Sequence, residues 1–119
     1  MRLAGEQMLL RIHLTNFVRW KSRPLYEVVV ERARQDRLSG ATVLCGIAGF
    51  HGAGPLLSEK AAALQVERPV VVEIVDEESR LRGFLAALEP MLAGHPVLVT
   101  LELAEVVHYR SATPKGAKP

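Results

Sequence analysis

The run Pro69-Val70-Val71-Val72-Glu73-Ile74-Val75-Asp76 constrains this chain more than any other stretch. Apolar, mostly β-branched residues fall on both sides of its alternation, so it reads as a central strand with a cover on at least one face. Asp76 is suited to end that strand and to cap the next element. Behind it, Leu81, Phe84, Leu85, Leu88, Met91 and Leu92 recur at helical spacing. Glu77 and Glu78 stand at the positive end of the helix dipole, and the pattern predicts a helix over 77–93. Gly94-His95-Pro96 stops it. From Val97 to Tyr109 the chain alternates, with Val97, Val99, Leu101 and Leu103 on one face, which predicts a long final strand. The second half of the chain is therefore a β-α-β unit.

The first half repeats the order. Met8–Thr15 alternates Leu10, Ile12 and Leu14 against Leu9, Arg11 and His13, as a strand with one face on a core does. Asn16–Arg23 breaks the alternation and reads as a loop, and Pro24 suits a first helical turn. Leu25, Val28, Val29, Ala33 and Leu38, with the stem of Arg32, approximate a helical stripe, and the charges Glu27, Glu31, Arg34, Asp36 and Arg37 fall largely on the solvated side. Gly40 can end that helix in a left-handed conformation, and a strand over Ala41–Ile47 comes next, half-buried at 41–44. Gly46, Gly49, Gly52 and Gly54 read as hinges open to positive φ, on a mobile loop rooted on a rigid strand. Ala48–Arg68 is weakly patterned, with a short helix capped by Ser58 expected over 58–64. Residues 1–110 read as one domain and 111–119 as a mobile, polar, Pro- and Gly-containing tail.

Two β-α-β units with right-handed crossovers give the α+β class: a ferredoxin-like βαββαβ sandwich, its four-stranded antiparallel sheet carrying both helices on one face. The other face would be bare yet partly apolar, so a homo-oligomer is the expected cover.

A length of 119 residues, with 49% hydrophobic and 24% charged residues, suits one soluble globular domain. Aromatics at 5% leave the core to Leu, Val and Ala. The formal charge of +2 is too small to announce a nucleic-acid binder, so no direct nucleic-acid contact is expected. One cysteine, Cys45, allows no intrachain disulfide, and no basic-then-apolar leader opens the chain, so a reducing, cytoplasmic setting is expected. No apolar run approaches the ~20 residues of a spanning helix.

The clearest chemical cluster is Arg19, Trp20, Lys21 and Arg23, three cations and an indole just before a helix N-terminus, where backbone amides also favour an anion. They can hold a phosphate-bearing ligand; the structural alternative is a solvated basic loop with Trp20 at a subunit interface. Gly46 and Gly49 could bring backbone amides to a phosphate, but their spacing is no dinucleotide or phosphate-loop fingerprint. Phe50 and His51 belong to the same candidate ligand region. His51 can titrate, ligate a metal or touch a nucleotide, or be an exposed loop histidine without duty. His13 and His108, read as lying on outer strands, and His95, in a turn, have no ligand spacing. Cys45 reads as a small buried core residue with no adjacent base. Asp76-Glu77-Glu78 is explained by helix capping without a metal, and Glu102 and Glu105 are ordinary strand residues. No catalytic residue and no metal site are assigned.

The chain resembles the DUF190 family, itself similar to the PII signal-transduction proteins. The resemblance rests on Leu10-Arg11-Ile12, Arg23-Pro24-Leu25-Tyr26-Glu27, Gly40-Ala41-Thr42-Val43-Leu44 with Gly46-Ile47 and Gly49-Phe50, and the Pro69–Asp76 run. It implies a homotrimer with inward-facing sheets, a loop at about 50–68 that touches a protein or membrane-transporter target, and a small ligand, often an adenine nucleotide, between subunits. The chain departs from the family pattern at Asn16, where an acidic residue is usual, and at His51, where a third glycine is. Gly94-His95-Pro96 also lacks the Gly- and Lys-rich phosphate cradle of true PII proteins. The leading expectation is a non-enzymatic regulator whose loop orders when a nucleotide-like ligand binds. The alternatives are a small enzyme using His51 with a carboxylate at a subunit junction, and an assembly module without a ligand.

Overall fold

In the computed structural model, which describes residues 3–58 and 66–112, the main elements take the expected order. They are β1 (Gly5–Thr15), a hairpin of β2 (Arg19–Trp20) and β3 (Arg23–Pro24), α1 (Leu25–Gln35), β4 (Thr42–Cys45), β5 (Ala48–Gly49), β6 (Leu57–Ser58), β7 (Pro69–Asp76), α2 (Glu78–Leu92) and β8 (Leu98–Val106). Four strands form an antiparallel sheet in the order β4-β7-β1-β8, and β5-β6 form a separate two-residue ladder. This is the ferredoxin-like α+β arrangement, in which β1 pairs with two strands from the other half of the chain.

Register explains which face is buried. Leu10, Ile12 and Leu14 of β1 stand opposite Ile74, Val72 and Val70 of β7, and all six are buried. Leu25, Val29 and Ala33 of α1, and Leu81, Phe84 and Leu88 of α2, pack down on them as one cluster. Each fully buried aliphatic side chain contributes on the order of 1.5–3 kcal/mol relative to exposure. Val99, Leu101 and Leu103 of β8 stand opposite Ile12, Leu10 and Met8, so the predicted face is right, but Leu103 at the sheet edge stays 68% exposed.

The opposite face carries Leu9, Arg11 and His13 of β1, Val71, Glu73 and Val75 of β7, Leu44 of β4 and Leu98 of β8. At its centre Arg11 donates to Glu73 at 2.9 Å and also pairs with Glu102. The hydrogen bond to Glu73 is the main reason the Arg11 guanidinium is held above its ordinary pKa.

Several local expectations are corrected. β1 begins at Gly5, three residues early, and β8 ends at Val106, short of Tyr109. Helix α1 ends at Gln35, and Arg37 (φ 57°), not Gly40, takes the left-handed conformation after it. The expected loop at 16–23 contains a tight hairpin, with Lys21 and Ser22 at positive φ. Strand β4 covers only 42–45 and is exposed rather than half-buried, so Cys45 is an exposed edge residue, not a core one. His13 lies on a central strand, not an outer one, and His108 lies beyond β8. Most of the helix expected over 58–64 lies outside the described residues, as does 113–119 of the tail; Ser58 itself is in β6.

The junction between the halves is polar. Asp76 is fully buried at the end of β7 and accepts from the Ser39 amide at 2.8 Å and the Glu77 amide at 2.7 Å. Arg80, one turn into α2, pairs with Asp76 and donates to the Arg37 carbonyl at 2.6 Å. Tyr109 donates to the Ser39 carbonyl at 2.9 Å. Asp76 is therefore not the cap of α2 as expected: the N-cap is Glu77, which makes no side-chain cap bond, and the Asp76 side chain instead bonds the Glu77 amide and reaches back to the chain leaving α1.

Candidate functional site

Past β4 the chain leaves the sheet because Gly46 and Gly49 let it run against Pro69. A Cβ at Gly46 would lie 2.7 Å from Pro69 Cγ, and one at Gly49 would lie 3.3 Å from the same atom. The Gly46 amide also donates to the Pro69 carbonyl at 2.7 Å. These two glycines are therefore small for close packing, not hinges at positive φ; of the four glycines in this stretch, Gly52 alone takes the left-handed region, at φ 53°. Gly52 sits in a turn closed by the Gly54 amide donating to the His51 carbonyl at 2.8 Å. Pairing of Ala48 with Ser58 and Gly49 with Leu57 closes the base of the excursion.

Its return is fixed by Asn16. The Asn16 side chain donates to the Val66 carbonyl at 2.9 Å and accepts from the Arg68 amide at 2.7 Å, while its own amide donates to the Arg68 carbonyl. A carboxamide supplies both the donor and the acceptor used here, where an ionised carboxylate would only accept, which gives the departure from an acidic residue at this position a structural reason.

Between the excursion and the start of β8 lies a cleft of about 610 Å³, within the roughly 300–1,000 Å³ of small-molecule sites. Phe50, Pro55 and Leu57 supply apolar walls on one side, and Pro96, Val97 and Leu98 on the other. Thr15, at the end of β1, donates its hydroxyl to Glu67 Oε2 at 2.7 Å, so a carboxylate is held in the cleft in a fixed orientation. His51 also lines it, with Nε2 buried and, among the described residues, without a hydrogen-bond partner. A buried polar atom without a partner costs about 1–3 kcal/mol, so this nitrogen is a place where a hydrogen-bonding group would be welcome. The bond that Glu67 makes is to Thr15, not to His51.

The candidate residues fall into two groups. Gly46 and Gly49 shape the entry to the excursion, and Phe50 and His51 line the cleft. Arg19, Trp20, Lys21 and Arg23 lie on the β2–β3 hairpin and do not line it. There Arg23 makes a two-pronged bond to Glu31, which pushes the Glu31 carboxyl below its ordinary pKa. Arg19 donates to the Ser22 carbonyl, Lys21 Nζ lies 5.4 Å from the Trp20 ring centre, and Trp20 packs against the core. Thr15, Glu67, Pro96, Val97 and Leu98 escape sequence reasoning as site residues, because a strand end, a loop exit and a post-helix turn carry no periodic signal. Among the described residues no group of three or more His, Cys, Asp or Glu side chains could hold a metal ion, and no helix is long and apolar enough to cross a membrane.

The family model of DUF190, described as Uncharacterized ACR, matches residues 7–106. The chain belongs to the DUF190 family. A UPF0166 protein of Aquifex aeolicus is 37% identical to this DUF190 chain over 103 residues, covering 87% of it and 95% of the relative. A UPF0166 protein of Methanocaldococcus jannaschii is 25% identical over 91 residues, covering 76% of the chain and 83% of the relative. Solved structures with the same fold include those of PII-like proteins. CPII of Thiomonas intermedia K12, a nitrogen regulatory PII-like protein bound to ADP, AMP and bicarbonate, superposes with a TM-score of 0.66 at 13% identity, covering 87% of this chain and 90% of that one. A candidate PII-like signalling protein from Thermus thermophilus gives 0.62 at 15% identity, covering 87% and 91%. The DUF190 chain therefore shares its sandwich with PII-like proteins, some of them in nucleotide complexes.

Proposed function

We propose that this DUF190 protein is a non-enzymatic, PII-like regulator that binds a small adenine-nucleotide-like ligand and signals through the segment at 50–68. The observation that carries this reading is the cleft itself. Its walls come from the excursion on one side and the rigid start of β8 on the other, so a ligand in it would tie the position of Phe50 and His51 to the sheet. The bare sheet face with Leu9, Val71 and Val75 supports assembly into a homotrimer, which would bring a second subunit beside each cleft. A protein or membrane-transporter target reading the excursion, a cytoplasmic setting and the absence of direct nucleic-acid binding complete the reading. The basic hairpin at 19–23 is retained as a second ligand contact if a neighbouring subunit brings it to the cleft.

The enzymatic alternative needs His51 to be oriented by a carboxylate, and among the described residues no carboxylate bonds His51 Nε2, which speaks against that pairing. The test is sedimentation of the purified chain together with calorimetry against AMP, ADP and ATP. A trimer that binds at least one of them at micromolar to millimolar concentration is expected. A monomer with no heat for any adenine nucleotide at millimolar ligand overturns the reading.

A further inference from the structure

We propose that Glu67 is a specificity-determining residue that reads an exocyclic amine, so that the cleft recognises an amino-substituted nitrogen heterocycle by its base edge. This rests on the small-ligand reading above and names the ligand group that the cleft would contact. An ionised carboxylate only accepts hydrogen bonds, and Thr15 occupies Glu67 Oε2 alone, at 2.7 Å. Thr15 is itself buried and is anchored through its hydroxyl to the Phe17 amide, so the carboxylate is presented from a rigid strand end. Its other oxygen remains able to accept from a ligand N–H₂. His51, whose Nε2 is buried, lines the same cleft, and that nitrogen can donate to or accept from a ring nitrogen according to its tautomer. The side chains of Phe50, Pro55, Leu57 and Pro96, three of them rings, give the same cleft apolar lining. A planar heterocycle with an amine and a ring nitrogen carries a donor for the carboxylate, a partner for the imidazole and a face for the apolar lining. A base carrying a carbonyl in place of the amine would set an acceptor against the carboxylate and lose the contact.

The experiment measures binding of adenosine, inosine and N6,N6-dimethyladenosine to the full-length protein by calorimetry, with AMP and ADP alongside. Adenosine is expected to bind about tenfold or more tightly than inosine or the dimethyl analogue, since a polar site left unpaired rejects an analogue far more strongly than a missing methylene would. In Glu67→Gln, whose amide can donate to a carbonyl, the preference is expected to narrow or reverse. The comparison among ligands on the unaltered protein stands even if that variant fails to fold. Equal affinities for adenosine and inosine overturn the proposal and leave nucleotide binding standing. Binding of AMP or ADP without adenosine overturns it too, because recognition would then lie with the phosphates. Silence from every adenine compound removes the functional reading and this proposal together.

Discussion

Asp76→Ala tests the polar junction that joins the two halves of the fold. The carboxylate is fully buried and its partners are all donors: the Ser39 amide, the Glu77 amide and the Arg80 guanidinium. Removing it from a dry, fully buried pair would cost about 3–5 kcal/mol. Arg80 is 29% exposed and still holds the Arg37 carbonyl, and Glu77 is exposed, so water replaces part of what is lost. The half-buried Ser39 amide has no such recourse and contributes about 1 kcal/mol or more. The expected loss is roughly 3 kcal/mol, or a fall in melting temperature of roughly 12 °C for a domain of this size. The assay is urea and thermal unfolding at one fixed protein concentration, because any assembly would couple stability to it. Asp76→Asn should be nearly as damaging. An amide that places its N–H₂ against any of three donors cannot satisfy them, despite its matching shape. A near-native Asp76→Asn, or a loss below about 1 kcal/mol in Asp76→Ala, would refute the claim that the junction depends on an all-acceptor side chain.

Gly46→Ala should destabilise by about 1–3 kcal/mol because its Cβ meets the Pro69 ring at 2.7 Å, while Gly83→Ala, with open space in exposed α2, should stabilise by about 0.5–1 kcal/mol; paired denaturant melts give both signs. Asn16→Ala removes both the donor to the Val66 carbonyl and the acceptor of the Arg68 amide, so hydrogen exchange at the Arg68 amide should quicken while exchange in β1 stays slow; unchanged protection at Arg68 counts against the clamp. Arg23 lowers the Glu31 carboxyl below its ordinary 4.5, so the stabilisation from this pair is present above that value and lost as pH falls through the depressed one. Melts of the native chain and Glu31→Gln should accordingly differ at neutral pH and converge in acid, and a gap that persists at low pH contradicts the pairing. Leu44→Lys puts a charge on the bare face at a residue 48% exposed in the isolated chain, so it should leave the subunit folded but shift sedimentation towards monomer.

What the sequence makes legible is whatever a short window of chain decides by itself. The period of α2, the alternation of β1 and the span of Pro69–Asp76 are all readable because burial repeats at the pitch of the element, and the sheet order comes from handedness rules applied to that order of elements. The misreadings share a different cause. Gly46 is visibly a glycine, but the reason it must be one is Pro69, twenty-three positions away and brought near only by β4–β7 pairing. Cys45 sits in an apolar stretch and reads as core, yet β4 is an edge strand, and whether an edge is buried depends on what lies beyond the subunit. The cleft obeys the same rule: His51 is visible as a titratable loop residue, whereas Thr15, Glu67 and Leu98 acquire meaning only because three chain segments with no common pattern converge on one end of the sheet. A site assembled from element ends leaves no periodic trace. The polar atoms of such a candidate site can still be found in the structure, because a carboxylate held by a buried hydroxyl and a buried imidazole nitrogen without a partner among the described residues are both unfinished hydrogen-bonding arrangements, and it is there that a ligand would have the most to gain.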